Sequence, residues 1–424
     1  MRAMRFFERL GTLIEQRWKK KNFDEASFPA IALRALEEMP PSEYTDASNI
    51  VQWVLSGTGL PPQDLTREPP FTLYHHPLFR IGAFVWLQDE HLPVHQHCVS
   101  GAFHHLTGAS LHCLYRFELK ERINSRLLLG DLQLRSIECL RTGDSRPIEN
   151  GSGTMHATFH LNRPTITIII QTHLDKEALP QYSYLEPSIG YDASAKNPLL
   201  SRQLELLKVM HDAGDRNYLS HLHRRLSRSD FEETFLILKQ SYELLERKEF
   251  GRLIEVATKS QGRRARLFLE VFEEMRRIDN IIARRPFLRP EHNLLLGLLV
   301  YLPDRESICR FVQWHFGGDP IVTIIRWLEE MAGIEADDSA EANALGIHFD
   351  ELSLHVFQYL LQGLSFAAIK ERLKKQYDPE EVQTQEKELQ ALCAAFRKSS
   401  LFKPLFVSNA RGQAIQNTGR KWIS

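Results

Sequence analysis

From Phe6 to about Leu55 apolar residues recur at helical spacing, with Leu10, Leu13, Ile14 and Trp18 followed by Ile31, Leu33 and Leu36 and a Pro40-Pro41 break. A Gly/Pro-rich stretch, Gly57 to Pro70, then marks a boundary. Between Phe71 and about Leu185 the period shortens to β-rich runs: Phe84-Val85-Trp86-Leu87, Leu111 to Phe117, Leu127-Leu128-Leu129, and Pro164 to Ile170. Turn signals at Thr107-Gly108, Gly130-Asp131, Thr142-Gly143-Asp144 and Glu149-Asn150-Gly151 separate them, a spacing that favours an antiparallel barrel or sandwich over a βαβ sheet. After Pro198 the pattern is helical again. Ser229-Asp230-Phe231-Glu232 has the form of a capping box, and Asp319-Pro320 and Asp378-Pro379 each set an N-cap before a proline at the first helical position.

The pattern predicts an α+β chain with a helical segment over 1–60, a small antiparallel β-barrel over 61–195 and a large all-helical domain over 196–424. A length of 424 residues agrees with two or three cores. The formal charge of −1 supplies no global attraction to nucleic acid or a membrane surface. The longest strongly apolar run, Leu294 to Leu302, falls far short of the ~20 residues that span a bilayer. Five cysteines without a CxxC pairing read as reduced thiols, and the N-terminus lacks a signal-peptide apolar core, so a cytoplasmic location is expected. The arginines at 263, 264, 266, 276, 277, 284 and 285 interleave with Glu270, Glu273, Glu274 and Asp279. That reads as a solvated helix face laced with ion pairs, not as a nucleic-acid surface.

Histidine changes the picture. Eleven of the eighteen histidines lie between His75 and His173. His95-Gln96-His97 places two imidazoles at i and i+2, on one face of a strand, and His156 in Gly153-Thr154-Met155-His156 can close a three-nitrogen metal site from a later strand. No acidic residue follows His97 until Glu118, so a carboxylate ligand has no nearby candidate. Three neutral imidazoles leave a metal its full 2+ charge and open positions, which suits an anionic substrate and O2 together. His160, four residues beyond His156, is a candidate proton donor or further metal group. His104, His105 and His112 are further candidates for the barrel lining, and Cys98 faces away from His95 and His97.

The order Trp86, Pro93-Val94-His95-Gln96-His97, Ser100-Gly101-Ala102-Phe103, Leu106-Thr107-Gly108, then His156, Pro164 and a β-branched strand resembles the two motifs of the cupins, within about residues 71–172. Within that family it is similar to the cysteine dioxygenase type of thiol dioxygenase, whose tryptophan lies nine residues before the first ligand, as Trp86 does before His95. The resemblance implies a small β-barrel holding Fe(2+), or another divalent transition metal, on His95, His97 and His156. It implies a non-haem iron-dependent dioxygenase acting on a thiol or other small anionic substrate. The residue that holds the substrate carboxylate in that family has its nearest equivalent stretch here in Tyr74-His75-His76, with Arg80 off register; Arg80 and Arg116 are candidate anion partners. The family's Ser-His-Tyr set is replaced by Ile169, Gln171 and His173, which leaves His173 with His160 as the catalytic candidates. The alternative is a catalytically inactive or sensory cupin. Its helical domain would then bind a protein or nucleic-acid partner; in the enzyme that domain would serve as a lid, a partner surface or a homo-oligomer contact.

Overall fold

The computed structural model describes residues 2–61, 71–87, 92–173, 177, 180–195, 197–285, 289–334, 345, 349–407 and 416–419. The boundary expected at Gly57 to Pro70 therefore lies largely outside the described residues. Twelve strands occur among them: β1 (Phe71–His75), β2 (Phe79–Trp86), β3 (Leu92–His97), β4 (Gly101–Thr107), β5 (Ala109–Arg122), β6 (Leu127–Arg141), β7 (Ser145–Ile148), β8 (Gly151–His160), β9 (Thr165–Thr172), β10 (Tyr182–Leu185), β11 (Ile189–Asp192) and β12 (Gln416–Gly419). One sheet runs β1-β2-β9-β4-β7 and the other β11-β10-β3-β8-β5-β6-β12; β11 also pairs with β6, closing six strands into an antiparallel barrel. The fold is α+β as the patterning predicts, with helices before and after this β assembly.

Strand alternation sorts the side chains to two faces. On β2 and β9, Phe79, Ile81, Ala83, Ile166, Ile168 and Ile170 join Phe7, Leu10, Ile14 and Trp18 in one core, so the N-terminal helices cover the outer face of the five-stranded sheet. On β5 and β8, Leu111, Cys113, Met155, Ala157 and Phe159 join Leu294 to Leu302 in a second core, so the helix Pro290–Tyr301 covers the outer face of the other sheet. That helix is buried on every side from His292 to Tyr301, which is why its text is apolar without a helical period. Phe103, Leu140, Ile148 and Ile169 pack between the sheets, with Phe84 beside them. The β assembly is thus held between two helical layers, its inward faces left for the histidines.

Three expectations are corrected. The helix predicted at Ser229 is capped by Asp230, whose side chain accepts from the Glu233 amide, while the Ser229 hydroxyl donates back to the Arg225 carbonyl. The arginine-rich stretch is only partly solvated. Arg264 pairs with Glu121 and Arg247 with Glu273, but Arg277 is buried and donates to the Leu299 and Val300 carbonyls at 2.7 and 3.0 Å, satisfying groups that the end of Pro290–Tyr301 leaves open. Arg285 is 1 % exposed, donates to the His160 carbonyl and lies 4.0 Å over the Phe159 ring. Lastly, 196–424 is not wholly helical: β12 returns to pair in parallel with β6, and a four-residue polar edge strand carries no hydrophobic period to announce it. Among the described residues no helix is long and apolar enough to cross a membrane.

Candidate metal centre

β3 and β8 run antiparallel with His95 opposite His156 and His97 opposite Gly151, and a register shift precedes each of these two histidines along β3. Bulges of this kind re-aim side chains beside sites. One ring atom from each of His95, His97 and His156 lies within 4.8 Å of the others, and Nε2 of His97 is 2.9 Å from Nε2 of His156. Two nitrogens bound to one metal at ~2.1 Å sit ~3 Å apart, so that spacing fits a shared ion. His156 is buried and the two histidines of β3 are half-buried, leaving the cluster open on one side.

The outward nitrogens of His95 and His156 are engaged. His95 Nδ1 meets the Pro93 carbonyl at 2.9 Å, and His156 Nδ1 meets His112 Nε2 at 2.9 Å. A proton on each Nδ1 leaves Nε2 with its lone pair. Burial pushes all three imidazoles below their ordinary range, His97 and His156 strongly and with help from the neighbouring histidines; for His95 burial outweighs the bond to Pro93. Neutral imidazole is the form a metal takes. The chemistry of the donor set therefore fits a divalent transition metal.

Behind His156 a polar chain runs through the sheet. His112 Nδ1 is 2.9 Å from Glu138 Oε1, and Arg146 clasps that carboxylate through Nε and Nη2. Burial would raise the Glu138 carboxyl, but the bonds from His112 and Arg146 outweigh it and hold it down at about 2. Among the described residues no carboxylate joins the three nitrogens; Glu138 reaches them only through His112.

The facing sheet supplies the opposite wall in rows across β2, β9 and β4: Arg80–Gln171–Gly101, then Gly82–Ile169–Phe103, then Phe84–Thr167–His105. The Phe103 ring is 5.6 Å from His112 and 6.3 Å from His156, so the middle row stands over the cluster. Farther along β2, Trp86 stacks 4.8 Å from His160, so that side of the rows faces the His160 end of β8. The Arg80 row consequently lies on the other side, toward His97. With its amide turned to accept, Gln171 takes bonds from Arg80 Nε and Nη2 at 3.2 and 2.9 Å.

The remaining candidates fall elsewhere. His160 shares the inward face of β8 with His156 because the strand stays extended, but four residues separate the two by ~13 Å. It accepts or donates at Ser110 Oγ, 2.8 Å away, and burial pushes its imidazole down to about 3. His173, at the exposed end of β9, donates to the His76 carbonyl at 2.9 Å, and His76 itself packs 4.7 Å from Phe79 on the helix-covered side. Arg116 is exposed and donates to Gln133 at 2.9 and 2.6 Å. The structure does not bring His76, His173 or Arg116 to the cluster. His104 ties β4 to the N-terminal helices through Ser42 and to β7 through Ser145, and Cys98 donates to Gln181 at 3.0 Å. Glu138 and Arg146 were missed by sequence reasoning. The signal available was a lone acid inside the apolar run Ile137-Glu138-Cys139-Leu140.

No family model matches the chain, and no curated protein matches it. Among solved structures, one described under "Structural and spectroscopic insights into the mechanism of oxalate oxidase" is similar over 36 % of this chain and 78 % of its own, at 15 % identity and a TM-score of 0.17. A likeness that slight decides nothing about fold or chemistry.

Proposed function

We propose that this chain is a non-haem iron-dependent, dioxygenase-type oxidoreductase that takes a small anionic substrate at His95, His97 and His156. The observation that carries the reading is the convergence of three neutral imidazoles on one point with no carboxylate among them. Iron(II), once bound, supplies a redox-active centre whose charge the protein leaves uncompensated and whose remaining positions are open to substrate and O2. Arg80 is the anion anchor. It stands on the wall opposite the cluster at the His97 side, steadied by Gln171, and its planar fork matches a carboxylate. Phe103 and Ile169 form an apolar wall that limits water over the cluster and offers no acid–base group.

That apolar wall also favours a second reading, a sensory centre that binds metal and ligand without turnover. The test is metal analysis of protein purified without a chelating tag, alongside His95→Ala, His97→Ala and His156→Ala. About one equivalent of iron is expected in the parent and little in each variant. Near-zero transition metal in the parent overturns the proposal. O2 uptake with a panel of thiols and short mercapto acids then separates enzyme from sensor.

A further inference from the structure

Hydrogen bonds have a direction, and here a single charged end fixes it. Glu138 is an ionised carboxylate and can only accept, so the proton in its 2.9 Å contact with His112 belongs to His112 Nδ1. His156 can offer Nε2 to a metal only with its proton on Nδ1, so in the 2.9 Å contact between the two rings His156 Nδ1 donates to His112 Nε2. His156 Nε2 is left bare in turn. One chain, His156 to His112 to Glu138, therefore has its protons pointing toward the Glu138–Arg146 pair. His95 stands outside it, held by the Pro93 carbonyl.

We infer that Glu138, acting through His112, holds His156 in the tautomer that presents a bare Nε2 to the metal, so that His112 and Glu138 are positioning residues of the centre. The three ligands are then inequivalent. His156 is preset and made the strongest donor by a carboxylate one imidazole away, whereas His95 is held only by a backbone carbonyl. Partners of this kind typically change metal affinity 10- to 100-fold. This rests on the metal-site reading above.

Long-range ¹H–¹⁵N spectra of the metal-free protein test the tautomers directly. His156 and His112 are expected with protonated Nδ1 and bare Nε2, both before and after Zn²⁺ is added. Co²⁺ titration with a competing chelator supplies the affinity: Glu138→Gln and His112→Phe should bind roughly 10- to 100-fold more weakly with altered Co²⁺ absorption, and Glu138→Asp should recover much of the loss. Glu138→Gln nearly preserves shape, so it keeps the test sound if His112→Phe fails to fold. A His156 protonated at Nε2, or variants that bind Co²⁺ like the parent, overturn the inference alone. A parent that takes up neither ion overturns this inference and the metal-site reading together.

Discussion

A strand with a two-residue period makes one arginine do what its neighbours cannot. Phe79 and Ile81 point at the N-terminal helices, so Arg80 between them points at the facing sheet, in the row with Gln171 and Gly101. Replacing Arg80 with Met keeps the length of the side chain and removes the charge. A charge-assisted hydrogen bond contributes ~1.5–3 kcal/mol, so Arg80→Met should weaken binding of a short mercapto acid to the iron-loaded protein ~10- to 100-fold while leaving iron content unchanged. Unchanged affinity by calorimetry would remove Arg80 from the site. Much at this scale was legible in the sequence: the i, i+2 spacing of His95 and His97 requires only that the chain be extended, and the structure brings both to His156. Glu138 was not legible, because its partner His112 lies 26 residues away on β5 and the register between β5 and β6 is written in no local motif. Alternation along β5, with Leu111 and Cys113 outward, settles that His112 points in.

Among elements, the helix Pro290–Tyr301 and the strands it covers are fitted to each other more closely than either text suggests. A Cβ on Gly297 would lie 2.5 Å from Leu111 Cδ1 and 3.2 Å from Phe159 Cδ1, side chains that alternate along β5 and β8 with His112 and His160. A methyl group there must push the helix off the sheet or drive those side chains from their rotamers. Overpacking of this kind costs ~1–3 kcal/mol, so Gly297→Ala should lower the free energy of unfolding of the metal-free protein in urea by that amount even though alanine is the better helix former. No loss on equilibrium unfolding would mean the layers are slack. Element type was readable where the period was strong, as in β2, β9 and the helix Pro320–Ala332 begun at Asp319-Pro320. It failed where burial was all-round or absent: the buried arginines 277 and 285 spend their donors on carbonyls the sequence does not mark, and β12 has no apolar face at all.

Across the whole molecule the concentration of buried histidine sets the response to acid. His95, His97, His104, His105, His156 and His160 are all held below the ordinary imidazole range, chiefly by burial, His104 at about 4 and His160 at about 3. A base whose folded pKa is depressed is neutral in the native state and takes up its proton on unfolding. Its contribution to stability is therefore intact above the unfolded pKa near 6.5 and is lost as pH falls toward the folded value. Each such group contributes ~1.4 kcal/mol per pH unit in that window, so even half of the six acting fully gives ~4 kcal/mol per unit. Glu186 opposes them: burial, reinforced by Glu274, raises its carboxyl to about 7, so its unfavourable ionisation is relieved as pH falls from 7 toward 4.5. One group at ~1.4 kcal/mol per unit cannot offset several. Of a domain stability of ~5–15 kcal/mol, ~6 kcal/mol is then lost between pH 6.5 and 5, so the metal-free protein should weaken steeply in mild acid and take up several protons as it unfolds. Urea unfolding at pH 8, 6.5, 5.5 and 5 measures this. A free energy that stays flat from pH 6.5 to 5 would show that these imidazoles are not kept neutral by the fold, and the donor set proposed for the metal would lose its physical basis with them.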